Sequence, residues 1–206
     1  METIGNYLKN ATEPKIKAIA WRYTEEEEKA TAEEEEVKQT LKERASSIIR
    51  DFKWLSHYDG IVKWFTRNHG RGLLVRGTIG CGKTIMIRDI IIPAIREAYG
   101  LHIDCYNSML EATKALDNHL LGNPLRGAAK TIYIDDVGRE GLFKQYGNER
   151  NVFEEIVEDC YTYRKLLIIT TNLTKSSMAE KYDARTISRL KEMMTDVTIV
   201  AKDMRI

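Results

Sequence analysis

The chain has 206 residues, 43% of them hydrophobic, with 32 Lys/Arg against 31 Asp/Glu and a net charge of +1. That length suits one domain with a real core plus an appendage, and no run of about 18 apolar residues is present to span a membrane. Cys81, Cys105 and Cys160 lie far apart and outside any C-x-x-C spacing, which fits reduced thiols of a cytoplasmic protein better than disulfides or a zinc site.

Charge is unevenly distributed. Residues 1–40 hold 6 Lys/Arg and 10 Asp/Glu, a net of −4, while the remainder holds 26 and 21, a net of +5. This is well short of the density of a dedicated DNA-binding domain. The N-terminus lacks a charged-then-apolar leader pattern, so export is not expected.

Along the chain, residues 1–23 mix polar and apolar side chains with a break at Pro14. Glu25 to Glu36 is a glutamate-rich run with no anchor larger than Ala, and Glu25/Lys29 and Glu34/Lys38 sit at i,i+4. A solvated helix is expected there. Val37, Leu41, Ala45, Ile48, Phe52 and Leu55 then recur in steps of four and three, one stripe of a helix. Trp54, Tyr58, Ile61, Trp64 and Phe65 form an apolar lead-in.

From residue 72 the pattern alternates. Strands are predicted at 72–76, 101–106, 131–135, 166–171 and 197–200. A helix is predicted from 107–108 to about 120, with Ser108 and Glu111 as a capping box, and another over 149–164. Alternation of this kind predicts a parallel five-stranded sheet flanked by helices. The expected organisation is an acidic, helical extension over 1–55 and a nucleotide-binding domain over 56–206.

The most specific feature is Gly77-Thr78-Ile79-Gly80-Cys81-Gly82-Lys83-Thr84, a complete G-x-x-x-x-G-K-[ST] phosphate loop between a strand and a helix. Its glycines let successive N–H groups point inward around an anion. Lys83 reaches the β- and γ-phosphates, Thr84 ligates Mg²⁺, and the following helix adds its positive dipole end. A modified Cys81 thiol is expected to block nucleotide. Thr131-Ile132-Tyr133-Ile134-Asp135-Asp136 has the form of a Walker B strand, with Asp135 at the Mg²⁺ shell and Asp136 orienting the attacking water. Thr170-Thr171-Asn172 ends the fourth strand with an amide suited to sensing the γ-phosphate or the water.

In their order, Gly77–Thr84, Ile134-Asp135-Asp136-Val137-Gly138-Arg139-Glu140 and Thr170-Thr171-Asn172-Leu173 resemble AAA+ ATPases of the DnaC/DnaI helicase-loader and IstB-like group. Tyr182 to Leu190 looks like that group's arginine-finger segment, which ends in Ser-Arg-Leu, and Asp203-Met204-Arg205 resembles its terminal Ser-Tyr-Arg. The likeness covers about residues 55–206. It implies ATP and Mg²⁺ as cofactors, Asn172 as sensor 1, and Arg189 as a finger acting in trans, with Arg185 the competing choice. Arg205 is implied as a sensor 2-like arginine.

It further implies a homo-oligomer that delivers a replicative helicase onto single-stranded DNA, with Lys114, Arg139 and Lys144 as candidate DNA contacts. No small helical lid like that of larger AAA+ proteins is expected after Met204-Arg205-Ile206, and Asp136 stands where many have Glu. Other readings are an IstB-like transposition ATPase acting on duplex DNA, a P-loop small-molecule kinase and a non-hydrolysing adaptor.

Overall fold

The computed structural model describes residues 13–117, 131–140, 143–145 and 148–201. Helix α1 (Glu13–Ile48) comes first, then a 3₁₀ turn (Ser56–Tyr58), α2 (Asp59–Thr66) and β1 (Gly72–Gly77). A π-helical segment (Ile85–Ile91) leads into α3 (Ile92–Tyr99), followed by β2 (Ile103–Tyr106), α4 (Met109–Asp117) and β3 (Thr131–Val137). A short hairpin of β4 (Phe143–Gln145) and β5 (Asn148–Arg150) precedes α5 (Val152–Thr162) and β6 (Leu166–Thr171). The chain closes with α6 (Lys175–Lys181), α7 (Ala184–Met193) and β7 (Met194–Ile199).

Five strands pair in parallel in the order β2-β3-β6-β1-β7. Parallel strands need helical crossovers, and these cover both faces, so the central strands read as continuous apolar runs. In β1, Leu73 and Val75 face one core, with α1, α2 and α3, while Leu74 faces the other, with α4 to α7. The expected fold class is therefore met.

Several boundaries differ from expectation. Instead of a broken segment, a glutamate helix and a separate stripe, α1 is one helix of 36 residues, and Pro14 sits in its first turn, where no N–H is missed. Leu41 and Ala45 are fully buried as the stripe requires, but Ile48 is 49% exposed and Ile49 packs instead. Phe52 and Leu55 lie beyond the helix and still pack on the same core.

The last strand starts at Met194 rather than Val197. Asp196 and Thr198, exposed on one face of this edge strand, and the half-buried Thr195 on the other hide the strand pattern. Residues 149–150 pair in the hairpin, so α5 begins only at Val152.

The π turn has an identifiable cause. Pro93 follows it, lacks an N–H and has a ring that collides with the carbonyl four residues back. The widened turn lets the Ile92 N–H reach Ile87 O, carrying the helix past that point.

Candidate nucleotide-binding site

The carboxyl ends of β1, β3 and β6 lie side by side and bring their loops together. From β1 the chain turns through Gly77–Thr84. Gly80 (φ +78°) and Gly82 (φ +83°) take the left-handed backbone that bends the loop around its centre. At Gly77 a Cβ would lie 2.4 Å from Ile199 O and 2.9 Å from Cys81 Sγ, so only glycine fits between the loop and β7. Cys81 is fully buried and belongs to the core beneath the loop. Its Sγ lies 3.6 Å from Lys83 Nζ.

Lys83 is 7% exposed. Its ammonium donates to Gly77 O and Thr78 O, both at 2.9 Å, and to Asn172 Oδ1 at 2.7 Å. The same Asn172 amide donates from Nδ2 to Asp136 Oδ1 at 2.5 Å. One amide therefore connects the phosphate loop to the second carboxylate of β3.

The two aspartates occupy different environments because β3 bulges between Ile134 and Val137 and Asp136 adopts φ +55°. Bulges of this kind re-aim side chains beside functional sites. Asp135 is buried and accepts hydrogen bonds from three hydroxyls: Thr84 (2.9 and 3.1 Å), Tyr133 (2.9 Å) and Thr170. Burial, reinforced by Asp135, pushes the Tyr133 phenol far above its ordinary range, so it remains a donor. Asp136 is only half-buried. Its second oxygen pairs with Arg139 Nη1 at 2.8 Å, and its own N–H donates to Thr170 Oγ1 at 2.9 Å.

These groups line a cavity of about 690 Å³, within the size range of small-molecule and cofactor sites. Its opposite wall comes from the segment after α1: Ile49, Phe52, Leu55 and Tyr58, with Ile79 from the phosphate loop. Phe52 and Tyr58 stack at 6.2 Å, and Trp54 meets Tyr58 edge-on at 5.4 Å. Phe52 and Tyr58, part of an apolar stripe and of the apolar lead-in in sequence, also line this cavity, which their local spacing does not reveal. Thr170 was also missed as a site residue, since a Thr-Thr-Asn strand end gives no sign of which hydroxyl points at Asp135.

The loop after Asp136 is anchored by Glu140, which accepts from Gly138 N at 2.7 Å and from Tyr182 Oη at 2.5 Å. Lys181 Nζ donates to Glu140 O at 2.6 Å, tying this loop to the end of α6.

Lys83, Thr84, Asp135, Asp136 and Asn172 thus converge. Arg185 and Arg189 do not: both lie on α7 outside this cavity and pair with Glu158 of α5. Arg189 also stacks on Tyr161, with its guanidinium 4.8 Å from the ring centre. Arg139, expected as a DNA contact, lines the cavity, whereas Lys114 is exposed on α4. Lys144 falls in β4, where only the backbone is described, and Arg205 lies outside the described residues.

The site chemistry suits a divalent cation. Thr84 Oγ1 and the Asp135 carboxylate form a hard oxygen pair of the kind Mg²⁺ takes, adjacent to a glycine-built anion nest. Among the described residues no separate cluster of His, Cys, Asp and Glu could hold a metal, and no helix is long and apolar enough to cross a membrane.

No protein-family profile matches the sequence, and no curated protein matches it. Among solved structures, the chain is similar to the DnaC helicase loader at 20% identity and a TM-score of 0.57, covering 72% of this chain and 93% of that one. It is similar to DnaI at 17% identity and a TM-score of 0.56, covering 78% and 93%. AMPPCP-bound DnaA from Aquifex aeolicus follows at 16% and 0.51, covering 72% and 48%. The chain therefore has the AAA+ P-loop NTPase fold, in the form found in the DnaC and DnaI helicase loaders.

Proposed function

We propose that this protein is a Mg²⁺-dependent ATPase of DNA replication that assembles as a homo-oligomer and delivers a replicative helicase onto single-stranded DNA. The observation that carries the ATPase reading is the convergence of Lys83, Asn172 and Asp136 in one hydrogen-bonded chain beside the Thr84–Asp135 pair. Phosphate oxygens would compete with Gly77 O and Thr78 O for the Lys83 ammonium, and the glycine-lined N–H groups would complete the cradle. Thr84 and Asp135 would hold Mg²⁺, which supplies charge neutralisation on the phosphates when bound.

Asp136 would orient and polarise water. Asn172 fixes one of its oxygens and Arg139 the other, so a hydrolytic role requires Arg139 to yield its place. Arg189 or Arg185 would act on a neighbouring subunit, because neither lines the cavity of its own chain. An arginine supplied in trans neutralises charge in phosphoryl transfer and couples turnover to assembly.

The replication role is supported by the fold shared with two helicase loaders and by a similar DnaA structure that holds AMPPCP and single-stranded DNA. The test is steady-state ATP turnover with and without a cognate hexameric helicase and single-stranded DNA. Helicase-dependent turnover and transfer of helicase to DNA are the expected results. Phosphate transfer to a small acceptor would instead establish a kinase.

A further inference from the structure

A second crevice, of about 570 Å³, lies on the face of β1 and β7 beside α6 and α7, and shares no lining residue with the nucleotide cavity. Its floor is aliphatic: Leu74, Met178, Leu190 and Met194 are each 4% exposed or less. Its rim is cationic. Arg76 pairs with the one carboxylate in the lining, Asp196, at 2.8 Å, and Lys175 approaches the same group at 3.4 Å. Arg71 spends its guanidinium on the neutral carbonyls of Lys191 and Met194. Neither Arg71 nor Lys191 has a carboxylate within ion-pair distance among the described residues, so the face carries a clear positive surplus.

The chemistry selects the occupant. No Phe, Tyr or Trp lines this crevice, so it lacks the large stacking rings that single-stranded nucleic acid favours. A cationic rim instead suits an acidic helix. Such a segment exists in this chain. Eight glutamates lie between Glu25 and Glu36, all within α1. Glu33, Glu35 and Glu36 are exposed, and Glu34 already pairs with Arg67, a residue lining this crevice. The buried anchors of α1, Leu41 and Ala45, lie toward its C-terminal end, and Glu33 to Glu36 stay outside the core.

We propose that this crevice is a self-association site that receives the acidic segment of α1 from a second copy of the chain. The contact is head-to-tail in chemistry, acidic helix to basic crevice, and uses neither the nucleotide nor Arg189. It stands apart from the ATPase reading.

The experiment is sedimentation of the full-length chain without nucleotide at low and high salt. Lys175→Glu/Lys191→Glu and Glu33→Lys/Glu36→Lys are compared as separate proteins and as a mixture. Each variant alone is expected to self-associate about tenfold more weakly than wild type at low salt, and the mixture to recover association through the swapped charges. Circular dichroism and nucleotide binding check that both variants remain folded. Wild-type association by either folded variant overturns the proposal. So does loss in the lysine variant alone, which would assign the crevice to another acidic protein, or a mixture that does not recover.

Discussion

Lys83 and Asn172 are 89 residues apart in sequence, yet the lysine ammonium donates to the asparagine carbonyl oxygen at 2.7 Å. Because the Asn172 NH₂ must then face away, it is fixed on Asp136. The amide can satisfy both neighbours in only one orientation, so it links the phosphate loop to the second aspartate.

Replacing Lys83 should remove nucleotide affinity, while replacing Asn172 should spare it. Lys83→Ala is expected to abolish ATP binding in a fluorescent-nucleotide titration. Asn172→Ala is expected to bind within a few-fold of wild type but to turn over about 10²–10³ times more slowly, as when one positioned polar donor is lost. Equal loss of binding in both variants would assign Asn172 to the cradle instead.

Thr84→Val and Asp135→Asn should raise the Mg²⁺ concentration needed for turnover, because each removes one of the oxygen pair. Asp136→Asn should leave Mg²⁺ dependence unchanged and lower kcat alone. A Mg²⁺ titration of ATP hydrolysis separates the two aspartates, and identical profiles would contradict their distinct environments.

Arg189→Ala is expected to slow turnover only under conditions where the wild type is assembled, as a residue acting across subunits requires. Glu158→Gln should not slow it, since this glutamate holds Arg185 and Arg189 within the chain. Turnover measured across protein concentration checks both. Equal rates for wild type and Arg189→Ala at every concentration would remove the finger role.

Asp183 caps α7, accepting the Thr186 N–H at 2.6 Å, and that backbone hydrogen bond holds its carboxyl below the usual range. A lowered pKa contributes stability above the ordinary carboxylate value, and this is lost as pH falls through the folded value. Asp183→Ala should cost about 1 kcal/mol near neutrality. The difference from wild type should shrink in acid below roughly pH 4. Urea unfolding at neutral and acid pH is the measurement.

Leu41→Ala should destabilise the whole protein by about 2–5 kcal/mol, as for a buried leucine in a close-packed core. The same core includes Leu73 and Val75 of the central strand. A chain cut between residues 55 and 56 would lose this packing and the Ile49–Leu55 wall of the nucleotide cavity. Such a fragment is expected to aggregate and to bind nucleotide more weakly, by light scattering and titration.

The phosphate loop, the apolar strand ending in Asp135-Asp136 and the alternation of elements were all legible in the sequence. Each is local: glycine spacing and hydrophobic period act within a few residues. The five parallel strands and the identities of Lys83, Thr84, Asp135, Asp136 and Asn172 as neighbours follow from that local order. What the tertiary structure alone decided depends on packing between distant segments. It joined three predicted pieces into one helix α1, since Leu41 and Ala45 anchor it on the core. It gave Asp135 three hydroxyl partners and Asp136 an amide and a guanidinium, because the bulge in β3 turns the two carboxylates apart. It also placed Ile49 to Tyr58 opposite the phosphate loop and set a basic crevice along β1 and β7, surfaces that exist only once remote residues share a face.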